Sequence, residues 1–239
     1  MKPAMLPLVR LLQLVSPALP VGAYTYSQGL EWAVEAGTVA NEADAACWIG
    51  DLLEHGTGAF EAPLVARLLA AWAQAAEGAA VEGEALAEVA ALNADFLASR
   101  ETAELRAETV QMGYSLVCLL VGLPAFAALP GWVARLETID EPAFPTVWSA
   151  AAAAWQVPAG DAIAAYLWAW AENQVMAAVK VVPLGQSAGQ RLLATLGERI
   201  PAVAERALLL PRAQWSNFSP ALAIASSRHE TQYTRLFRS

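Results

Sequence analysis

The chain has 239 residues, a formal net charge of −9 and a high hydrophobic share of 57%. Ordinary soluble domains contain about 45–50% hydrophobic residues, so the excess indicates either membrane insertion or apolar surface buried against partners. The net negative charge argues against nucleic-acid binding, which requires a strongly basic domain.

Charged residues are unevenly distributed along the chain. Residues 31–108 contain 15 acidic and 3 basic residues, whereas residues 180–239 contain 3 acidic and 8 basic residues. Because complementary charge steers and orients protein association, this asymmetry predicts oriented docking with charged partner proteins.

The beginning of the chain predicts a short helix followed by a rigid loop. Pro17 and Pro20 end the first helix, because proline cannot continue the backbone hydrogen bonds of a helix. Ser27 is then predicted to cap a second helix that begins near Gln28. The loop between them, "SPALPVGAYTYSQG", is uncharged and aromatic.

Alanine-rich helices are predicted for the middle of the chain, since alanine is the best helix former. Asn41 marks the start of a helix that should run to about His55, where "GTG" follows. A new helix is predicted to begin after Pro63. Further helices are predicted over residues 83–98 and 100–120.

The second half of the chain repeats this pattern. Asp140 is predicted to cap a helix with Pro142 in its first turn, and "PAGD" at 158–161 opens a long helix. Further helices are predicted over residues 186–196, 199–209 and 219–227.

These patterns predict the fold class. No stretch alternates apolar and polar residues with the period of two that a strand requires. No Gly/Ser-rich linker divides the chain. We therefore expect an all-α, single compact domain of roughly ten helices over residues 1–239, with no significant sheet and a flexible start at about residues 1–10.

The longest uncharged run, residues 109–134, is long enough to cross a bilayer. Glycine and proline interrupt it, so we interpret it as a buried helix, a turn near Gly122–Pro124 and a second short helix. A membrane-associated helical protein remains an alternative. Gln13, Ser16 and Pro17 interrupt the earlier apolar run, so no cleaved signal peptide is expected.

"GQSAG" at 185–189 matches the G-x-S-x-G nucleophile elbow. Ser187, then Glu198 or Glu205, then His229 follow the order of residues in α/β-hydrolases, so a serine hydrolase is a second alternative. The elbow requires a parallel sheet, however, and none is predicted. Under the simpler interpretation, Ser187 caps the next helix.

Metal and disulfide signals are weak. Cys47 and Cys118 give no disulfide framework and are expected to be small buried residues on helix faces. Only two histidines are present, His55 and His229, and "HETQY" has Tyr233 where a zinc protease has its second histidine. No metal site is predicted.

Four segments depart from the simple helical pattern, and their order and wording closely resemble the UreF family of urease accessory proteins. The segments are "LLQLVSPALPVGAYTYSQGLE" (11–31), "RETAELRAETVQMGYSL" (100–116), "VKVVPLGQSAGQRLL" (179–193) and "SSRHETQYTRLFRS" (226–239).

This resemblance implies an all-helical cytoplasmic scaffold with no catalytic activity of its own. Members of the family form homodimers, bind the accessory protein UreD (also called UreH) and recruit the GTPase UreG to apo-urease for assembly of the nickel metallocentre. It implies no tightly bound cofactor, because nickel is handled by the complex, and no partner that is a membrane or a nucleic acid.

Partner binding is predicted for the opening loop, the region around Lys180 and the tail, which we define as about residues 226–239. The tail contains arginine and aromatic residues, which are typical interface anchors, and is predicted to become ordered on partner binding. Tyr24 either contacts the GTPase together with Arg235 or only covers a helix end. The predicted partner-binding residues are Tyr24, Tyr26, Ser27, Glu31, Lys180, Gln186, Arg228, His229, Glu230, Tyr233, Arg235 and Phe237.

Overall fold

A computed structural model describes residues 5–239, and every regular element in this range is helical. The all-α prediction is confirmed. The α-helices are α1 Leu6–Leu14, α2 Leu30–Glu35, α3 Glu42–Asp51, α4 Ala62–Ala75, α5 Ala79–Ala98, α6 Ala103–Gly122, α7 Pro124–Ala127, α8 Trp132–Glu137, α9 Phe144–Ala154, α10 Ala159–Val181, α11 Gln186–Gly197, α12 Ile200–Leu209 and α13 Pro220–His229.

One continuous helical stretch runs through the "GTG" segment, where the sequence predicted a break. The π-helix Leu52–Glu61 joins α3 to α4, so the predicted end at His55 and new start after Pro63 are both wrong. Pro63 has no N–H to donate to the carbonyl of Ala59, and Ser216 N donates to this carbonyl instead, at 3.1 Å. A contact with a distant residue thus allows proline inside the helix.

The centre of the molecule is formed by α4, α9 and α10, which together contact most of the other helices. Helix α4 packs against both α9 and α10, and the rings of Trp148 in α9 and Tyr166 in α10 lie 5.4 Å apart. Trp72 of α4 and Trp148 of α9 are fully buried. The indole N–H of Trp72 donates to the carbonyl of Thr146 at 3.0 Å and ties α4 to α9.

Helix α9 begins at Phe144, so the predicted start at Asp140 is wrong. Its first turn is capped from another helix: the side-chain oxygen of Asn93 in α5 accepts from Ala143 N at 2.9 Å and from Thr146 Oγ1 at 2.8 Å. Because the capping oxygen comes from about 50 residues earlier, no local pattern could reveal it.

Other local signals held. Asn41 accepts hydrogen bonds from Ala43 N and Asp44 N and caps α3. Within residues 109–134, α6 ends at Gly122 and α7 begins at Pro124, as predicted. Cys47 and Cys118 are both exposed, contrary to the expectation of burial, because they face solvent on α3 and α6.

The predicted flexible start lies partly outside the described residues, and its remainder enters helix α1 at Leu6. Across residues 5–239, none of the helices combines the length and hydropathy needed to cross a membrane.

Candidate functional site

The opening loop connects α1 to α2. Gly22, with φ 81°, allows the turn that precedes a 3₁₀ turn at Ala23–Thr25. Helix α2 begins at Leu30, so the predicted start near Gln28 with Ser27 as the cap is displaced. Ser27 Oγ accepts from Glu31 N at 3.3 Å and donates to the main-chain oxygen of Ser239 at 2.6 Å.

The tail packs along this loop. Arg238 N donates to the carbonyl of Thr25 at 2.8 Å, and Ser27 N donates to the oxygen of Ser239 at 2.7 Å. The side chains of Phe237 and Ser239 are buried. The loop and the tail therefore form one structural unit in the isolated chain, while the dependence of tail order on a partner stays a prediction.

Glu31 fastens the tail from α2. One of its carboxylate oxygens accepts from Leu236 N at 2.6 Å, and the other accepts from Phe237 N at 3.0 Å and lies 3.1 Å from His229 Nε2. Hydrogen bonds to an ionised acceptor are stronger than those between neutral groups. A single side chain thereby fixes both the end of α13 and the segment that follows it.

Glu104, in the first turn of α6, holds the tail from the other side. Its carboxylate lies 2.7 Å from His229 Nδ1 and accepts from Arg235 at 2.5 Å. His229 is fully buried with a carboxylate at each ring nitrogen.

Glu108 lies one turn further along α6 and is buried. Its carboxylate accepts from Gln28 Nε2 and from Ser239 Oγ, both at 2.8 Å. Burial raises the pKa of Glu108 to about 7, and the two hydrogen bonds oppose this rise. We call Glu31, Glu104 and Glu108 the carboxylate cluster.

Lys180 joins the end of α10 to the same unit. Its ammonium group donates to the carbonyl of Tyr24 at 3.3 Å. It also lies 5.9 Å from the centre of the Tyr24 ring and 5.1 Å from that of Phe237, within cation–π distance. Lys180 thus contacts both the loop and the tail.

The twelve predicted partner-binding residues divide into two groups. Exposed residues are Tyr24, Lys180, Gln186, Arg228, Glu230, Tyr233 and Arg235; buried residues are Tyr26, Ser27, Glu31, His229 and Phe237. A partner that docks on this conformation cannot touch the buried side chains.

Sequence reasoning missed the role of Glu104 and Glu108. Glu104 and Glu108 are four residues apart and so share one face of α6, and Arg100, four residues before Glu104, is the neighbour that local spacing offers it for surface pairing. In the structure Arg100 pairs with Glu61 at 2.9 Å, and both of these side chains are largely buried. For Glu104 and Glu108, the only signal in the sequence was their spacing on one helix face.

The serine hydrolase alternative fails on geometry. Ser187 is an exposed residue in the first turn of α11, where Gly185 occupies the capping position. His229 is held by Glu31 and Glu104. The described residues contain no strand that could build an elbow.

No group of three or more His, Cys, Asp or Glu side chains suitable for holding a metal ion occurs within residues 5–239.

Comparison with known proteins identifies the chain's relatives. A sequence model described as UreF matches residues 39–197. "Urease accessory protein UreF" of Azoarcus sp. (strain BH72) is 73% identical over 235 residues, which cover 98% of this chain and 97% of that protein. The protein of the same name from Dechloromonas aromatica (strain RCB) is 61% identical over 234 residues, which cover 98% of this chain and 98% of that protein.

The chain belongs to the UreF family of urease accessory proteins.

The UreF relatives cover the parts of the site that lie outside the family match. The loop and the tail fall before residue 39 and after residue 197, yet the UreF protein of Ectopseudomonas mendocina (strain ymp), 44% identical, aligns over 100% of both chains. The relatives named UreF carry the names of accessory proteins rather than of enzymes.

Proposed function

We propose that this UreF-family chain acts in urease maturation as a scaffold without catalytic activity of its own. It binds UreD/UreH and recruits the GTPase UreG to apo-urease, where the nickel metallocentre is assembled. Nickel is handled by the complex, and no cofactor is bound tightly by this chain. The scaffold works in the cytoplasm as a homodimer.

One observation carries this proposal: buried groups hold the loop and the tail together, so that exposed aromatic and basic side chains lie on one unit. Glu31 binds the tail backbone, and Glu104 binds His229 and Arg235. Tyrosine and arginine are enriched among residues that dominate binding energy. A pre-ordered surface also loses less conformational entropy on binding.

Charge supports the choice of partner surface. Exposed Lys180, Arg228, Arg235 and Arg238 give this unit a basic character in a chain whose net charge is −9. An acidic patch on the partner would complement it, and binding should weaken as salt concentration rises.

The test is co-expression with UreD and UreG followed by size-exclusion chromatography and light scattering. Tyr24→Ala should reduce co-migration of UreG about tenfold or more, because an exposed aromatic anchor is removed. Tyr114→Ala is the matched control, since Tyr114 is 62% exposed on α6 and Tyr24 is 64% exposed on the loop.

Two results would overturn the proposal. Undiminished recovery of both partners with Tyr24→Ala, Tyr233→Ala and Arg228→Ala combined would show that the surface lies elsewhere. Equal losses with Tyr24→Ala and Tyr114→Ala would show that the effect is not local. Circular dichroism of each variant checks that the helices are retained.

A further inference from the structure

A cavity of about 190 Å³ lies behind the opening loop, between α6, α9 and α10. Apolar side chains form most of its wall, including Leu14, Val21, Met112 and Phe144. Apolar cavities lined with a few polar groups are the usual form of small-molecule sites.

One end of the cavity is polar and internally paired. Arg100 Nη1 lies 2.9 Å from Glu61 Oε1, and Tyr166 donates its hydroxyl to Glu61 Oε2 at 3.0 Å. The Arg100 guanidinium also lies 4.3 Å from the centre of the Phe96 ring. Glu61 and Arg100 therefore neutralise each other.

Glu108 lines the same cavity without such compensation. Among residues 5–239, its carboxylate contacts only the uncharged donors Gln28 and Ser239. Burying a carboxylate without a counter-ion is costly, and the raised pKa of Glu108 reflects this cost.

The remaining charges leave the cavity negative. Glu172 and Lys180 also line it, and the ammonium group of Lys180 is engaged by the carbonyl and ring of Tyr24. The lining thus contains Glu61, Glu108 and Glu172 against Arg100 and Lys180.

Aromatic side chains in the lining also favour a cation as the molecule bound in the cavity. Phe144, Tyr166 and Trp170 all line the cavity, and aromatic faces attract cations most strongly where water is excluded.

We propose that this cavity binds a small organic cation, a primary alkyl- or arylammonium ion, with its ammonium group beside Glu108 and its apolar body against Leu14, Val21 and Met112. An anion would meet an uncompensated carboxylate, and a neutral apolar molecule would leave that carboxylate without a counter-ion. A bare metal ion would find too few ligands in the described part of the chain.

Calorimetric titration of the full chain with benzylammonium tests this site, with benzyl alcohol as the neutral probe of the same shape. Benzylammonium should bind at least about tenfold more tightly, because only the cation pairs with the buried carboxylate. Glu108→Gln should remove this preference. Glu137→Gln is the matched control, since it removes the same charge at an exposed position.

Affinity should also depend on pH. Glu108 must ionise to pair with the ammonium ion, so affinity should rise about tenfold from pH 6 to pH 8 in the parent chain and stay flat in Glu108→Gln. Glu61, Arg100 and Tyr166 face Glu108 across the cavity, Glu172 and Lys180 line the same cavity, and Glu31, Glu104 and His229 form the adjoining contacts with the tail.

A second variant tests the location without touching the buried charge. Met176 lines the cavity yet is 43% exposed, so Met176→Trp should cover the mouth while the core stays intact. We expect at least about a tenfold loss of benzylammonium affinity.

Three outcomes would overturn the proposal. They are the absence of benzylammonium binding, equal affinity in the parent chain and Glu108→Gln, and binding of Mg²⁺ in place of the organic cation.

Discussion

At the scale of single residues, three buried or nearly buried glutamates bind the tail rather than a partner. Glu31 and Glu108 are buried and Glu104 is nearly so, although glutamate is seldom found inside proteins without a partner. Each is satisfied by the tail through its backbone, His229, Arg235 or Ser239. The acidic excess of residues 31–108 therefore includes groups that fasten this chain to itself.

The first prediction concerns the pH dependence of stability. Glu108 has a raised pKa of about 7 in the folded chain, so the folded state keeps a proton that the unfolded state releases above its ordinary pKa of 4.5. This contribution to stability is complete below about pH 4.5 and is lost as pH rises through about 7.

Glu108→Gln removes this titration. Between pH 4.5 and pH 8 the parent chain should lose about 3 kcal/mol of its free energy of unfolding through Glu108, and Glu108→Gln should not show this loss. Urea denaturation at both pH values measures the difference. Identical pH dependence in the two proteins would contradict the buried titration, and Glu137→Gln serves as the surface control.

The second prediction concerns Glu31. Glu31→Ala leaves the N–H groups of Leu236 and Phe237 and one nitrogen of His229 without an acceptor. We expect the free energy of unfolding to fall by about 2–4 kcal/mol. Hydrogen exchange at the two amides should accelerate about tenfold or more. Unchanged exchange would show that other contacts hold the tail.

At the scale of elements, the tail unit depends on the close approach of α2 and α13. Gly29 precedes α2 with φ 78°, and a Cβ atom there would lie 2.9 Å from the backbone nitrogen of Ser226. Ser226 Oγ in turn lies 2.7 Å from Thr102 Oγ1 at the start of α6. Three helices therefore meet at a point where one residue must lack a side chain.

The third prediction compares two glycines with similar backbones. Gly22 has φ 81° but open space around its Cα, whereas Gly29 has φ 78° and a clash. Both alanine variants should lose about 1 kcal/mol through backbone strain. Gly29→Ala should lose about 1–3 kcal/mol more, because α13 must move. Thermal denaturation measures both, and equal losses would refute the packing argument.

At the scale of the whole molecule, the tail is part of the folded body. Removing residues 228–239 deletes His229, Phe237 and Ser239, all of which are buried, and leaves the carboxylate cluster without its partners in the tail.

The fourth prediction is that this deletion lowers stability by about 2–5 kcal/mol while most helical content remains. It should also abolish UreD binding, UreG recruitment or both. Denaturant titration and co-purification test the two effects. A deletion variant that keeps full stability would contradict the observed packing, and one that keeps both partners would contradict the proposed surface.

Much of the fold followed from local sequence signals. Alanine content, caps such as Asn41 and the turn at Gly122–Pro124 predicted helices correctly because these effects act within one helical turn. The predictions failed where a distant residue supplied the missing group. Asn93 caps α9, and Ser216 takes the carbonyl that Pro63 cannot use.

The sequence predicted which segments belong to the site, but not how these segments contact one another. The loop, the Lys180 region and the tail were singled out as separate segments, and the structure brings them together. Their role in partner binding stays a prediction. Which side chains are exposed did not follow from the sequence, since Tyr24 and Tyr26 are two residues apart and only Tyr24 faces solvent.

By itself, the sequence determined that this chain is helical, that it is a member of the UreF family and which segments are unusual, because these properties depend on short-range order along the chain. Only the tertiary structure decided that the acidic residues of α2 and α6 hold the basic tail, and that Glu108 faces a cavity. Burial and charge pairing depend on residues about 80–200 positions apart, and their cost or gain exists only once the chain has folded.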